Sequence, residues 1–83
     1  DPDNTLARYN RALLRSKVGD YEGAITDFSV VIEAYPNFEH AYSCRADARR
    51  KSGDISGARA DEEWLLNRRQ DIYMRLGAYL NTL

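Results

Sequence analysis

A histidine, a cysteine and an aspartate lie close together near the middle of the chain. His40 and Cys44 are four residues apart, and Asp47 falls on the same side of a helix, because residues three and four apart share a helix face. Imidazole, thiolate and carboxylate groups are ligands that zinc accepts. No further ligand is evident, and a cysteine–histidine nucleophile would lack an orienting group and an oxyanion donor. We therefore expect no metal, no cofactor and no catalytic residue.

Two basic clusters are the second candidate for chemistry, since arginine binds phosphate and carboxylate bidentately. The first comprises Arg45, Arg49, Arg50 and Lys51, and the second comprises Arg68, Arg69 and Arg75. Acidic residues available to pair with them are Asp47, Asp61, Glu62 and Glu63. The net charge is only -1, whereas a general polyanion binder is strongly basic. Ion pairing on helix surfaces is thus favoured over nucleic-acid binding.

The composition is that of one small folded domain. The chain has 83 residues, of which 43% are hydrophobic and 30% are charged, which is typical of globular proteins. The longest aliphatic run is Val30-Val31-Ile32, too short to span a membrane. One cysteine excludes an internal disulfide. Because the chain starts at Asp1 without methionine or an apolar signal segment, we expect a processed product or a segment of a longer protein.

The chain repeats itself at a constant interval. Gly19-Asp20 recurs as Gly53-Asp54, and Arg11-Ala12 recurs as Arg45-Ala46 at the same offset. Matching positions across a whole unit indicate a structural repeat.

Each unit has the pattern of a helix, a turn and a second helix. In the first unit, Asp3 or Asn4 and then Asp20 are predicted to cap the helices, and Gly19 is predicted to end the first one. The second unit is predicted to have helices from Phe38 to Ser52 and from Ile55 to about Arg69. Apolar residues predicted to be buried are Ala24, Ile25, Phe28, Val31 and Ile32 in the first unit and Ala41, Tyr42, Ala46, Ala48, Ala58, Leu65 and Leu66 in the second.

A last helix is predicted from Asp71 to about Leu80. The joining residues Asn67 to Gln70 contain neither proline nor glycine, so fusion with the preceding helix into one rod is an open alternative. We expect Trp64 to pack against this last helix. Large buried areas are expected from Tyr9, Tyr35, Tyr42, Tyr73 and Tyr79.

These features resemble the tetratricopeptide repeat family, whose repeat period is the interval that separates Gly19 from Gly53 here. The first unit matches that family's pattern in Asn10-Arg11-Ala12, Gly19-Asp20-Tyr21-Glu22-Gly23-Ala24-Ile25, Phe28 and Pro36. The second unit matches it in Tyr42, Ala46, Gly53, Asp54 and Ala58, but has Glu62 in place of an aromatic residue and Gln70 in place of proline.

The resemblance implies an all-α fold, an α-solenoid of antiparallel helix pairs. It would contain one repeat at about 5–38, a second at about 39–70 and a capping helix at about 71–82. In the family, the first helix of each pair lines a concave face that binds extended peptides or a partner helix. The corresponding lining residues here are Leu6, Tyr9, Asn10, Leu13, Ser16, Lys17, His40, Ser43, Cys44, Asp47, Arg50 and Lys51.

The resemblance thus implies a non-catalytic module that binds a protein or peptide, with no nucleic-acid or membrane partner. Only Asn10 fits the residue pattern with which one subgroup grips the carboxylate tails of chaperones, so that ligand is not favoured. The alternative is a structural role, as a self-associating spacer or a terminal cap. Because about three repeats are usually needed for stability, a homodimer through the C-terminal helix is a further expectation.

Overall fold

Four helices make up the fold in the computed structural model, which describes residues 4–81, with the side chains of Tyr79 and Asn81 left undescribed. They are α1 (Thr5–Lys17), α2 (Tyr21–Ala34), α3 (Glu39–Ser52) and α4 (Ile55–Asn81). The described residues contain no strand. Each helix packs against the next one in the chain, and α1 also contacts α3. The predicted all-α class is confirmed, with helix pairs packed together as in a helical repeat.

The helix ends follow the predicted capping residues. The side chain of Asn4 accepts a hydrogen bond from Ala7 N at 3.2 Å. Asp20 Oδ1 accepts one from Gly23 N at 3.0 Å, and Asp54 Oδ1 accepts one from Gly57 N at 2.9 Å. These bonds satisfy backbone donors that a helix leaves unpaired in its first turn. Asp3, the other predicted cap of α1, lies outside the described residues.

The last two predicted helices are one element. α4 runs unbroken from Ile55 to Asn81, so the separate capping helix predicted at about 71–82 is corrected to the second half of α4, with residue 82 outside the described range. The alternative, in which the last helix is fused with the preceding one, is confirmed. No residue between Asn67 and Gln70 interrupts helical hydrogen bonding. The division into two repeats with these boundaries stays a prediction.

The core is small and rich in alanine. Ala12, Ala24 and Ala58 are fully buried, which lets the paired helices approach closely, and Phe28 and Val31 fill the space between α1, α2 and α3. The predicted inward face of α3 is confirmed at Ala41, Tyr42, Ala46 and Ala48.

Three predictions of burial are wrong. Leu66, Tyr35 and Tyr73 are each more than half exposed. Leu66 and Tyr73 lie on α4 away from its contact with α3, and Tyr35 lies in the turn after α2. Tyr79 lies among the side chains that are not described.

A fully buried aspartate lies at the centre of the first helix pair. Asp27 has no exposed surface, and Arg11 of α1 binds it bidentately, with Nε at 2.9 Å from Oδ2 and Nη2 at 2.7 Å from Oδ1. Arg15 and Arg8 add contacts of 3.0 and 3.4 Å. A buried carboxylate is tolerated only when it is paired and hydrogen-bonded, and these arginines supply the pairing.

The second helix pair repeats this arrangement. Asp61 is 3% exposed, and Arg45 binds it bidentately at 2.9 and 2.6 Å while Arg49 contacts it at 3.0 Å. Asp61 follows Asp27 at the repeat interval, as Arg45 follows Arg11. Each helix pair is thus joined by a buried aspartate that arginines of the first helix bind.

Removing the buried charge should destabilise the fold in a pH-dependent way. Hydrogen bonding from Arg11 is the main cause that holds the pKa of Asp27 below its ordinary value; burial opposes this shift, and the charges of the surrounding arginines add to it. A lowered folded-state pKa stabilises the protein above the unfolded-state value near 4, and this stabilisation is lost as the pH falls through the folded-state value. Asp27→Asn should lower the free energy of unfolding at pH 7 by about 3–5 kcal/mol.

Urea unfolding at pH 7 and pH 3 measures this effect. The difference in the free energy of unfolding between wild type and Asp27→Asn should be smaller at pH 3 than at pH 7. The exposed Glu33 on the same helix provides a control, since Glu33→Gln should change stability by no more than about 0.5 kcal/mol. An equal difference in the free energy of unfolding at both pH values would contradict the stabilising role of the Asp27 charge.

We expect the cap formed by Asp20 to require glycine at position 23. A Cβ atom at Gly23 would clash with the carboxylate of Asp20, 2.8 Å from its Cγ, and would lie 3.0 Å from Cδ of Arg15. Alanine normally stabilises a helix interior relative to glycine. Here it should displace the cap instead and lower stability by about 1 kcal/mol.

Gly77 is the matched control, because a Cβ atom there meets nothing within 4 Å. Gly77→Ala should therefore raise the thermal midpoint, whereas Gly23→Ala should lower it. Two changes of the same sign would show that the cap does not depend on Gly23.

Candidate functional site

The two helices predicted to line the binding surface meet at Tyr9. Its ring lies 5.0 Å from Phe38 and 6.3 Å from His40, measured between centroids, and 6.0 Å from Phe28 beneath it. Tyr9 therefore joins α1 to the start of α3 and is itself half-buried against the core. We call the surface formed by the predicted lining residues the α1–α3 face.

Most of the predicted lining residues reach solvent. The exposed ones are Leu6, Asn10, Leu13, Lys17, His40, Ser43, Asp47, Arg50 and Lys51. Tyr9, Ser16 and Cys44 are partly buried. Leu6 is 70% exposed and Leu13 is 38% exposed. The surface thus offers aliphatic side chains on α1 beside polar ones on α3.

The cysteine of this surface is poorly suited to nucleophilic chemistry. Burial raises the pKa of the Cys44 thiol, while the neighbouring Tyr9 hydroxyl acts in the opposite direction. Burial also raises the pKa of Tyr9. Since the thiolate is the reactive form, Cys44 is held mainly as the less reactive thiol at neutral pH.

The histidine, cysteine and aspartate considered for metal binding do not form a metal-binding cluster. Asp47 pairs with Lys51 at 3.0 Å along α3. Among residues 4–81, no group of three or more histidine, cysteine, aspartate or glutamate residues is placed to hold a metal ion.

The basic clusters are largely engaged within the fold. Arg45 and Arg49 bind Asp61, and Arg50 pairs with Glu62 of α4, which draws this predicted lining residue toward α4. These pairs agree with the ion pairing expected from the interspersed acidic residues. Arg68 of α4 binds Glu39 at 2.7 Å and Asn37 at 3.2 Å, which ties α4 to the start of α3.

Trp64 packs on α3 rather than on a separate last helix. Its ring stacks on Tyr42 with centroids 3.6 Å apart and planes 8° from parallel, and the Arg68 guanidinium lies 5.0 Å above it. The predicted packing of Trp64 is therefore corrected. Tyr42 stands at the position that Arg8 occupies in the first unit, so an aromatic stack replaces the third arginine of the ion cluster.

A concave apolar groove lies at the end of the molecule where α1 begins and α2 ends. Its volume is about 690 Å³. The lining residues are Asn4, Thr5, Leu6, Tyr9, Val31, Ala34, Tyr35, Pro36, Asn37 and Phe38. None of them is charged, and we call this feature the end groove. The repeat pattern did not indicate it, because it is formed by two separate segments, residues 4–9 and 31–38.

Comparison with known proteins gives limited support for the family. No protein-family profile matches the sequence, and no solved structure matches it. A curated relative, Tetratricopeptide repeat protein 36 of Bos taurus, is 38% identical over 53 residues, which cover 64% of this chain. The match spans 28% of the relative's length. The similarity and the four-helix fold are compatible with tetratricopeptide-like repeats.

Within residues 4–81, no helix combines the length and the apolar character needed to cross a bilayer.

Proposed function

We propose that the chain is a non-catalytic protein-interaction module of tetratricopeptide-repeat type that binds a segment of a partner protein across the α1–α3 face. The observation that carries the proposal is an asymmetry between the two helix layers. Cα atoms of α1 and α3 approach within 8 Å, whereas in the described chain no such approach joins α2 and α4. Helices on the inner side of a curved array lie closer together, and this supports the proposal that α1 and α3 line the concave side.

The side chains on this surface define the chemistry of the partner segment. Leu6 and Leu13 offer apolar contacts on α1, and Asn10 lies exposed between them, where its amide can bond a peptide backbone. On α3, Asp47 and Lys51 pair with each other and leave no strong net charge. An amphipathic segment that places its apolar side chains against α1 fits this surface.

Binding should depend on exposed residues of the α1–α3 face and not on other exposed apolar residues of α1. Peptides selected from a displayed library against the wild-type chain provide the probe. Leu13→Ala with His40→Ala should weaken their binding by about tenfold or more, a loss typical of interface anchors. Tyr9 is left unchanged because its ring packs on Phe28 and Phe38, so its truncation would also destabilise the fold.

Leu14→Ala with Val18→Ala is the matched control, since both side chains are exposed on the same helix outside the predicted lining. This control should bind the peptides as the wild type does. Titration calorimetry with each selected peptide gives the dissociation constants. Equal weakening by both pairs of substitutions, or by neither, would overturn the assignment of the surface.

A further inference from the structure

The second half of α4 extends beyond the helix it packs on. At a rise of 1.5 Å per residue, the 27 residues of α4 span about 40 Å, whereas the 14 residues of α3 span about 21 Å. The contact of Arg68 with Glu39 marks the level at which α3 begins. Residues 70–81 therefore project past the end of the helix pair, and we call this segment the overhang.

The overhang carries an apolar stripe with no partner in the described chain. Ala58, Leu65 and Ile72 follow at intervals of seven residues, so they lie on one side of α4. Ala58 is fully buried, Leu65 is half-buried and Ile72 is 56% exposed. Beyond Ile72 the stripe continues with Leu76 and Leu80, each more than half exposed. The apolar side of α4 that packs on α3 thus extends into the overhang, where it packs on no other part of the described chain.

The overhang and the end groove lie at the same end of the molecule. Asn37 lines the groove and also accepts a hydrogen bond from Arg68, at the base of the overhang. One feature is concave and the other is convex, and both are apolar. The groove belongs to the first helix pair and the overhang to the second, so in one copy they lie side by side and not against each other.

We propose that two copies of the chain associate about a two-fold axis at this end, each inserting its overhang into the end groove of the other. Rotation about an axis between the two features reverses the direction of the helices and exchanges the positions of groove and overhang. Such an interface is isologous, with both contacts identical. The proposal does not rest on the proposed binding of a partner segment.

The spacing of the first two residues of the overhang stripe fits the length of the groove along α1. Ile72 and Leu76 are about 6 Å apart along α4, and the groove follows α1 from Asn4 to Tyr9, about 8 Å. Because the interface is symmetric, each copy contributes both a groove and an overhang to the contact.

The charges on both surfaces are also compatible with insertion of the overhang into the end groove. The groove lining is uncharged. Beside the stripe, Asp71 and Arg75 form an ion pair of 3.1 Å along the same helix, so insertion leaves no unpaired charge from these two residues in the groove. Association also brings together four helix pairs, where a single chain has fewer than the three repeats usually required for a stable array.

Sedimentation equilibrium of the whole chain and of three variants tests the exchange. The overhang variant is Ile72→Glu with Leu76→Glu, and the groove variant is Leu6→Lys with Tyr35→Lys, so that the two altered surfaces do not repel each other when the variants are mixed. The control is Leu14→Glu with Val18→Glu, two exposed apolar residues outside both features. The wild type and the control should be dimers. Each of the other variants should dissociate with a constant raised by at least about 30-fold, the factor for loss of one interface anchor.

Mixing separates loss of contact from loss of folding. A heterodimer of the overhang variant and the groove variant retains one intact contact, formed by the wild-type overhang of one chain and the wild-type groove of the other. The mixture should therefore associate more tightly than either variant alone. A monomeric wild type, a dimer indifferent to the groove variant, or a mixture without recovery would overturn the proposal. Leu6 belongs to both the end groove and the α1–α3 face, so peptide binding is measured on the overhang variant, which leaves that face unchanged and therefore reports separately on the proposed function.

Discussion

A buried carboxylate held by arginines of the neighbouring helix sets the geometry of each helix pair. Asp27 and Asp61 are both essentially inaccessible to solvent, and an unpaired charge at such a depth would destabilise the protein by several kcal/mol. Arg11 and Arg45 must therefore reach across from the first helix of each pair with their guanidinium planes aligned. This requirement fixes the register of α1 against α2 and of α3 against α4, and the small residues Ala12 and Ala46 beside these arginines permit the close approach.

The register of the helix pairs determines which surfaces remain available. With the arginine sides of α1 and α3 turned toward their partners, Leu13 and His40 lie on exposed positions of the α1–α3 face. The two pairs are linked through the core, where Phe28 and Val31 of α2 pack with Ala41 and Ala48 of α3, and Arg45 donates a hydrogen bond to Ser29. The end groove and the overhang follow from the same architecture, because α4 is longer than the helix against which it packs.

Much of the fold could be predicted from the sequence because the signals are local. The caps at Asp20 and Asp54 and the alanines at the crossings follow from positions within the first unit and their copies in the second. The buried role of Asp27 was missed, although its recurrence as Asp61 at the repeat interval was an available signal. Burial of Leu66 was predicted from helical spacing alone, which does not reveal where the covering helix stops. The end groove depends on two distant segments meeting in space, and no single stretch of sequence encodes it.

The most direct test of this account is a double-mutant cycle at the second ion cluster. Arg45→Met and Asp61→Leu are made singly and together, and the free energy of unfolding is measured by urea denaturation. Each single substitution leaves a charged partner at a buried or half-buried site and should destabilise the fold by about 3–5 kcal/mol. The double variant removes both charges and should be at least about 2 kcal/mol more stable than the sum of the single effects predicts. Additive effects of less than about 1 kcal/mol each would show that the buried carboxylates do not hold the helix pairs together.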